Sequence, residues 1–426
     1  MSAPKAAFAV LWLAACGSPN ASPAGHDAAV DDHHAVMEAA PVMEVPPVAS
    51  AAGGAGAAGL APANAGGAGA RAEQTAPASP SVTAGVVAMQ PPPMAAEAGA
   101  GAAGQEAVAG TGAAPLQLCA AMVARAQELI ATLDTDALKS AVLQPFDQRH
   151  RFAYEPQVAD RPGASLAMLS EPQQQQALAL LRSGLSEAGF EKAETTRALE
   201  NLKAATGFQI NQRDPSYYWL AIYGEPSETG EWGWQFEGHH LALHFTLKAC
   251  ALSDTPTFMG AWPAEPRTMV SGGPPAGSRN LAQEEELGRA LAKSIDADAA
   301  KRMQAFQATA YRQMLPQGPT PAQPMMPSGL PGSAMSEAER TQLKAIVSHY
   351  ASAMHAELAA ARLQRIEEHG GFDSVSFVWT GSLEPKQRHF YRVQGPSFFI
   401  EYRNDDGDHI HTAWRDFQGD WGDDLP

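Results

Sequence analysis

The apolar positions follow two different periods along the chain. Leu118, Met122, Ala126, Leu129 and Leu133 recur at three- and four-residue steps, the spacing that lines one face of an α-helix. Asp134 and Asp136 can start a further short helix. Ser170-Glu171-Pro172 opens another, because proline is tolerated in a first helical turn, and Ala177, Leu178, Leu180 and Leu181 give it an apolar face. A helix over 186–205 ends at Gly207. The period then shortens. Tyr217-Tyr218-Trp219-Leu220-Ala221-Ile222-Tyr223 predicts a strand, Gly224-Glu225-Pro226 and Gly230 mark a turn, and 234–249 reads as one long strand, with a short one at 258–262.

Helices return at 282–294 and 297–314. A proline-rich stretch at 315–335, with Pro324-Met325-Met326-Pro327, reads as a surface loop, since proline lacks the amide donor that a helix or sheet interior needs. Ser336 with Glu339 forms a capping box, and Gly370-Gly371 supplies the stop. The helix between them, about 33 residues, would run about 50 Å if unbroken. Strands follow at 375–379, 389–393 and 397–402, then a hairpin turn at Asn404-Asp405-Asp406-Gly407 and a returning strand at 409–414. Consecutive strands of this kind pair antiparallel. The pattern predicts an α+β domain over 116–426, an antiparallel sheet with helices packed on it.

Composition changes ahead of that domain. Residues 17–115 are Ala, Gly and Pro with scattered acids, one basic residue (Arg71) and no aromatic. Such a segment cannot bury enough apolar surface to offset the entropy of ordering, so 16–115 reads as a disordered tether. Its coil span would be roughly 50–60 Å. The cluster His26, Asp27, Asp31, Asp32, His33 and His34 reads there as solvated linker rather than a metal scavenger. At the start, Lys5 precedes ten apolar residues at 6–15, too few to span a bilayer. They end in Leu13-Ala14-Ala15-Cys16-Gly17, which resembles the lipobox of bacterial lipoproteins. The resemblance implies a signal peptide over 1–15, lipidation of Cys16, and a protein that meets the membrane through a lipid anchor at the bacterial cell envelope. Gly17-Ser18 lacks the acidic second residue associated with inner-membrane retention, which favours the outer membrane. The alternative is an ordinary signal peptide with a chance cysteine. Cys119 and Cys250 would then share an oxidising compartment, as a disulfide or as two buried thiols. The net charge of −17 argues against a nucleic-acid partner.

Several blocks carry a family resemblance: Arg213-Asp214-Pro215 with Tyr217-Tyr218, Gly224-Glu225-Pro226, Trp232-Gly233-Trp234, and Glu237-Gly238-His239-His240-Leu241. Gly395-Pro396, Ile400-Glu401-Tyr402 and His409-Ile410-His411 through Trp414-Arg415-Asp416 complete the set. With these the segment resembles a mostly bacterial, uncharacterised family known as domain of unknown function 3500. The resemblance implies no activity. Two positions depart from it: His244 stands where a small polar residue is expected, and Arg403 where an acid commonly follows Glu401-Tyr402.

The chemistry concentrates in the two histidine clusters, about 170 residues apart, because imidazole binds transition metals and moves protons near neutral pH. Read as strands, alternation puts Glu237 and His239 on one face with Leu241, Leu243 and Phe245, His240 and His244 on the other, and His409 with His411. The preferred inner set is His239, His409 and His411, with His240 and Glu237 next, around zinc, copper or iron. Glu237 could be a ligand, a tautomer-fixing partner or a general base. Arg415 could clamp the carboxylate or phosphate of a small-molecule ligand, or form an internal ion pair with Asp416 or Glu237. Asp420, Asp423 and Asp424 read as solvated. Trp232 and Trp234 either line a ligand cleft or form a half-buried strand pair. No nucleophile elbow, P-loop, dinucleotide fingerprint or His-Glu-x-x-His helix is present. Three readings stay open: a surface-tethered metal-dependent hydrolase or oxidoreductase, a non-catalytic metal or small-ligand binding lipoprotein, and a structural lipoprotein whose histidines only knit the sheet.

Overall fold

A computed structural model describes residues 114–156, 161–205, 213–307 and 320–425. The signal peptide, Cys16 and the tether lie outside the described residues, as do Gly207 and the first part of the proline-rich loop. The elements run α1 (Ala114–Thr132), α2 (Asp136–Val142), β1 (Leu143–Gln144), β2 (Ala164–Ser165), α3 (Glu171–Gly184), α4 (Glu187–Ala198) and α5 (Glu200–Ala205). Next come β3 (Tyr218–Gly224), β4 (Glu231–Gly238), β5 (Leu241–Lys248), β6 (Ala251–Ser253), β7 (Thr257–Ala261), α6 (Ala282–Asp296) and α7 (Ala299–Ala305). The rest are β8 (Leu330–Pro331), α8 (Glu337–Ala351), α9 (Ala356–Glu368), β9 (Ser376–Gly381), β10 (His389–Gln394), β11 (Phe398–Asn404) and β12 (Ile410–Asp416). The fold is α+β. One sheet runs β1-β3-β4-β5-β7-β12-β11-β10-β9-β8, antiparallel throughout except for the parallel β1–β3 pair.

From β3 to β9 the order is a palindrome because the chain uses one plan twice. Leu220 faces Phe236 as Phe377 faces Val393. Phe236 faces Leu243 as Val393 faces Ile400, and Leu243 faces Thr257 as Ile400 faces Trp414. Each second-half residue is displaced by the same number of positions. The helical layer repeats too. Ser170 with Gln173 and Ser336 with Glu339 make matching capping boxes on α3 and α8, and α1 packs on α3 as α6 packs on α8. The halves meet where β7 pairs with β12, at the middle of the sheet.

Side chains on the helical face of the sheet, such as Phe236, Leu243 and Phe245, join the main core with the helices. The other face carries a second cluster with Phe152, Tyr154, Ala242, Phe258, Phe417 and Trp421. The predicted 33-residue helix is broken into α8 and α9. The break at 352–355 is fastened to the α3–α4 junction: Ser186 donates its amide to the Ala353 carbonyl at 3.1 Å and His355 donates to the Gly184 carbonyl at 3.0 Å. The predicted helix over 297–314 stops early as well. Phe306 leaves α7 extended and bridges to Trp379, and Gln307 donates to the Trp379 carbonyl at 3.0 Å. Cys119 and Cys250 form a disulfide with Cα atoms 5.4 Å apart, tying α1 to the β5–β6 turn.

Candidate metal centre

The predicted strand over 234–249 is a hairpin whose two-residue turn is His239-His240. His240 takes a left-handed φ of 62°, a conformation that costs a side-chain-bearing residue on the order of 1 kcal/mol. Three bonds hold it there. The His240 amide donates to the Tyr154 carbonyl at 3.0 Å, the Gly260 amide donates to the His240 carbonyl at 2.7 Å, and the Tyr218 hydroxyl donates to the His239 carbonyl at 2.7 Å. The turn also resets strand parity, so that Gln235 lies opposite His244 and Glu237 opposite Ala242. Glu237 therefore shares a face with His244, not with Leu241 and Leu243.

From this turn the His240 ring reaches β12. Its Nε2 lies 2.9 Å from Nε2 of His409 and 3.1 Å from Nε2 of His411. One ring nitrogen from each of the three falls within 4.8 Å of the others. His411 sits in β12 opposite Gly260 of β7, and His409 just precedes that strand. Trp262 stacks on the His409 ring at 4.9 Å between centroids. The converging set is thus His240, His409 and His411, and not the expected His239, His409 and His411.

Burial is the largest cause holding the His240 and His411 imidazolium forms well below their ordinary range. Neighbouring rings add to it for both, and Arg403 adds to it for His411. A neutral imidazole offers one N–H and one lone pair on separate nitrogens. His240 Nε2 therefore has one hydrogen-bonding function but meets two ring nitrogens. One linear hydrogen bond uses that function, whereas a cation would take the three lone pairs at once. Ligands about 2.0–2.1 Å from one transition ion lie roughly 2.9–3.4 Å apart for angles between square and tetrahedral. The two separations from His240 fall in that range and the three donors all lie within 4.8 Å of one another, which makes them a candidate three-histidine centre.

His239 packs against the triad from outside it. Its ring stacks on His240 at 3.8 Å, and its Nδ1 bonds Glu200 Oε1 at 2.6 Å. Burial lowers its pKa, with Glu200 opposing. A carboxylate that accepts from Nδ1–H leaves the ring's lone pair on Nε2. Glu200 is almost fully buried, and its other oxygen has no partner. Sequence reading missed Glu200. The signal was its spacing: Gly189, Ala193 and Thr196 step by four and three along the buried face of α4, and Glu200, the first residue of α5, follows four positions on. His411 Nδ1 faces Asp405 Oδ2 at 3.7 Å, beyond hydrogen-bond length.

Glu237 and Arg415, expected as catalytic groups, are engaged elsewhere. Glu237 is fully buried; it accepts from the Ala153 amide and His244 Nε2, each at 3.1 Å, and pairs with Arg161 at 3.5 Å. Burial alone would raise its pKa, but the His244 bond and the nearby charges bring it below the usual carboxylate value. No acceptor capacity is left facing the triad for a general base. Arg415 donates to Asp420 Oδ2 from Nε at 2.8 Å and to the Thr320 carbonyl at 2.9 Å. Its partner is Asp420 rather than Asp416 or Glu237, and Asp420 is buried rather than solvated. Asp423 pairs with Arg149 at 2.6 Å, while Asp424 is exposed. Trp232 and Trp234 are fully buried core residues, with Trp234 stacked on Phe245 at 4.1 Å, so they line no cleft.

A family model described as "Protein of unknown function (DUF3500)" matches residues 117–423. No curated protein and no solved structure matches the chain.

Proposed function

The chain belongs to the DUF3500 family, and we propose that its domain is a transition-metal protein whose ion is held by His240, His409 and His411. The observation that carries this is the meeting of three imidazole nitrogens, with His240 Nε2 within 3.1 Å of both others. Zinc, copper and iron all suit an all-imidazole set. Such an ion supplies Lewis acidity, an activated water or, for copper and iron, redox chemistry. That makes a hydrolase or an oxidoreductase the leading class. His239, oriented by Glu200, replaces Glu237 as the residue placed to hold or move a proton. Lipidation of Cys16 and the tether would hold the domain at the bacterial envelope, with the outer membrane favoured.

Elemental analysis of tag-free protein tests the reading. About one transition ion per chain is expected, lost in His240→Ala, His409→Ala and His411→Ala while the fold is kept. A wild-type protein that retains no ion overturns it. A second reading, capture of the metal without turnover, is favoured by the internal pairing of Glu237 and Arg415. Turnover against esters, phosphoesters and phenols separates the two.

A further inference from the structure

We infer that Arg213 forms an anion subsite beside the histidine centre and that the natural ligand is a small carboxylate. The inference rests on the metal reading above and names the ligand class for that same site. Arg213 is 8% exposed, and its Nε and Nη1 have no hydrogen-bond partner. A buried charged donor left unpaired is costly, so most buried guanidinium groups are paired. This one instead lies over the Trp262 ring at 4.6 Å, and Trp262 stacks on His409 at 4.9 Å. The guanidinium carbon is therefore no farther from the His409 ring than those two steps together. Its charge reaches His239 and His240, where it opposes protonation.

The charges select the ligand. Arg213 brings positive charge, and Glu200 and Glu155 are carboxylates whose charge reaches it. Glu200 and Arg213 attract each other, yet Glu200 Oε2 and the two guanidinium nitrogens make no hydrogen bond. Arg213 keeps two buried donors free, which one planar monoanion satisfies. A carboxylate on Arg213, with the rest of a small molecule reaching past Trp262, would bring a donor or reacting atom to the ion. Arg213 opens the Arg213-Asp214-Pro215 motif, which the histidine centre alone does not use.

The test is calorimetric titration of cobalt(II)-loaded full-length protein with acetate, benzoate and inorganic phosphate, with the cobalt visible band as a second readout. Wild type should bind benzoate. Arg213→Gln should bind it about tenfold to a hundredfold more weakly with cobalt stoichiometry unchanged. Arg213→Lys, which keeps the charge and most of the stem, should fall between them and covers the case in which Arg213→Gln does not fold. Equal benzoate affinity in wild type and variants overturns the subsite while leaving the metal reading intact. So does phosphate binding without carboxylate binding. Failure of the wild type to take up cobalt, or any other transition ion, overturns both.

Discussion

Gly260 lies beneath the imidazole of His240 while pairing across the sheet with His411. A Cβ at this position would come within 2.8 Å of the Ile410 carbonyl oxygen and 3.0 Å of His240 Cγ. One missing side chain thus lets two metal-ligand candidates from different strands close on each other. Gly260→Ala should move the His240 ring or part β7 from β12. We expect metal affinity to fall by about tenfold or more and stability by about 1–3 kcal/mol. Competition against a chelator and thermal melting read the two effects. Unchanged affinity would mean that this contact does not set the ring.

His239 and Glu200 should behave differently from the triad. They orient and pack against His240 without joining the convergence. His239→Ala and Glu200→Gln should keep about one ion per chain but weaken it by about 10–100-fold. His240→Ala should lose it outright. If His239→Ala abolishes binding and His240→Ala does not, the assignment of the inner set is wrong.

Much of this arrangement was legible beforehand, and the misses share a cause. The period of apolar positions located α1, α3, β3 and the β9–β12 meander, because those elements are amphipathic and have local stop signals. It could not see the turn at His239-His240, since neither of its two residues is a glycine, asparagine or proline and His240 supplies the left-handed backbone itself. A two-residue turn swaps face parity, so that one omission misplaced Glu237 relative to His244. Ser336 with Glu339 marks the start of α8 in the sequence, but the break after Ala351 is imposed by a distant partner at Leu185 and has no local signature. The sequence points Arg415 to Asp416 or Glu237, whereas its partner is Asp420, brought in by the turn at Gly419, where φ is 97°. The duplication was present in paired capping boxes and hidden by divergent side chains.

Glu237 offers a test of structural against catalytic roles. Its carboxylate satisfies His244, the Ala153 amide and Arg161 inside the sheet's second core. Removing one member of a buried ionic network leaves the others uncompensated, at a cost of about 3–5 kcal/mol. Glu237→Ala should therefore lower the urea midpoint sharply. Metal bound per folded molecule should stay near the wild-type value. Loss of metal at full stability would restore Glu237 to the centre.

The disulfide closes a loop with a sequence separation of 131 residues. Long loops gain most from cross-linking in the chain-entropy account, so reduction should destabilise the domain by about 2–5 kcal/mol. The Cys119→Ala, Cys250→Ala double variant should melt lower than wild type and be insensitive to reductant. A wild-type melting point unchanged by reductant would show that the bond is not formed in solution.

His389 sets a pH dependence separate from metal binding. It is buried between Trp379 and Tyr402, with ring centroids at 4.9 and 5.2 Å. Burial is the main cause that brings its pKa down to about 4; Arg289 adds to this, and the bond from Nδ1 to the Gln387 carbonyl opposes it. In the unfolded chain the same ring titrates near 6.5. Between these values the unfolded state binds a proton that the folded state refuses, so stability rises with pH there. The contribution is complete above about pH 6.5, falls as the medium is acidified, and levels off below about pH 4. The shift corresponds to about 3 kcal/mol across that window. Urea unfolding of chelator-treated protein at several pH values measures it. His239, His240 and His411 are lowered in the same direction, so the diagnostic quantity is the difference in slope between wild type and His389→Gln. The variant should lose part of the acid sensitivity; an identical slope in both proteins would show that His389 is not held neutral by the fold.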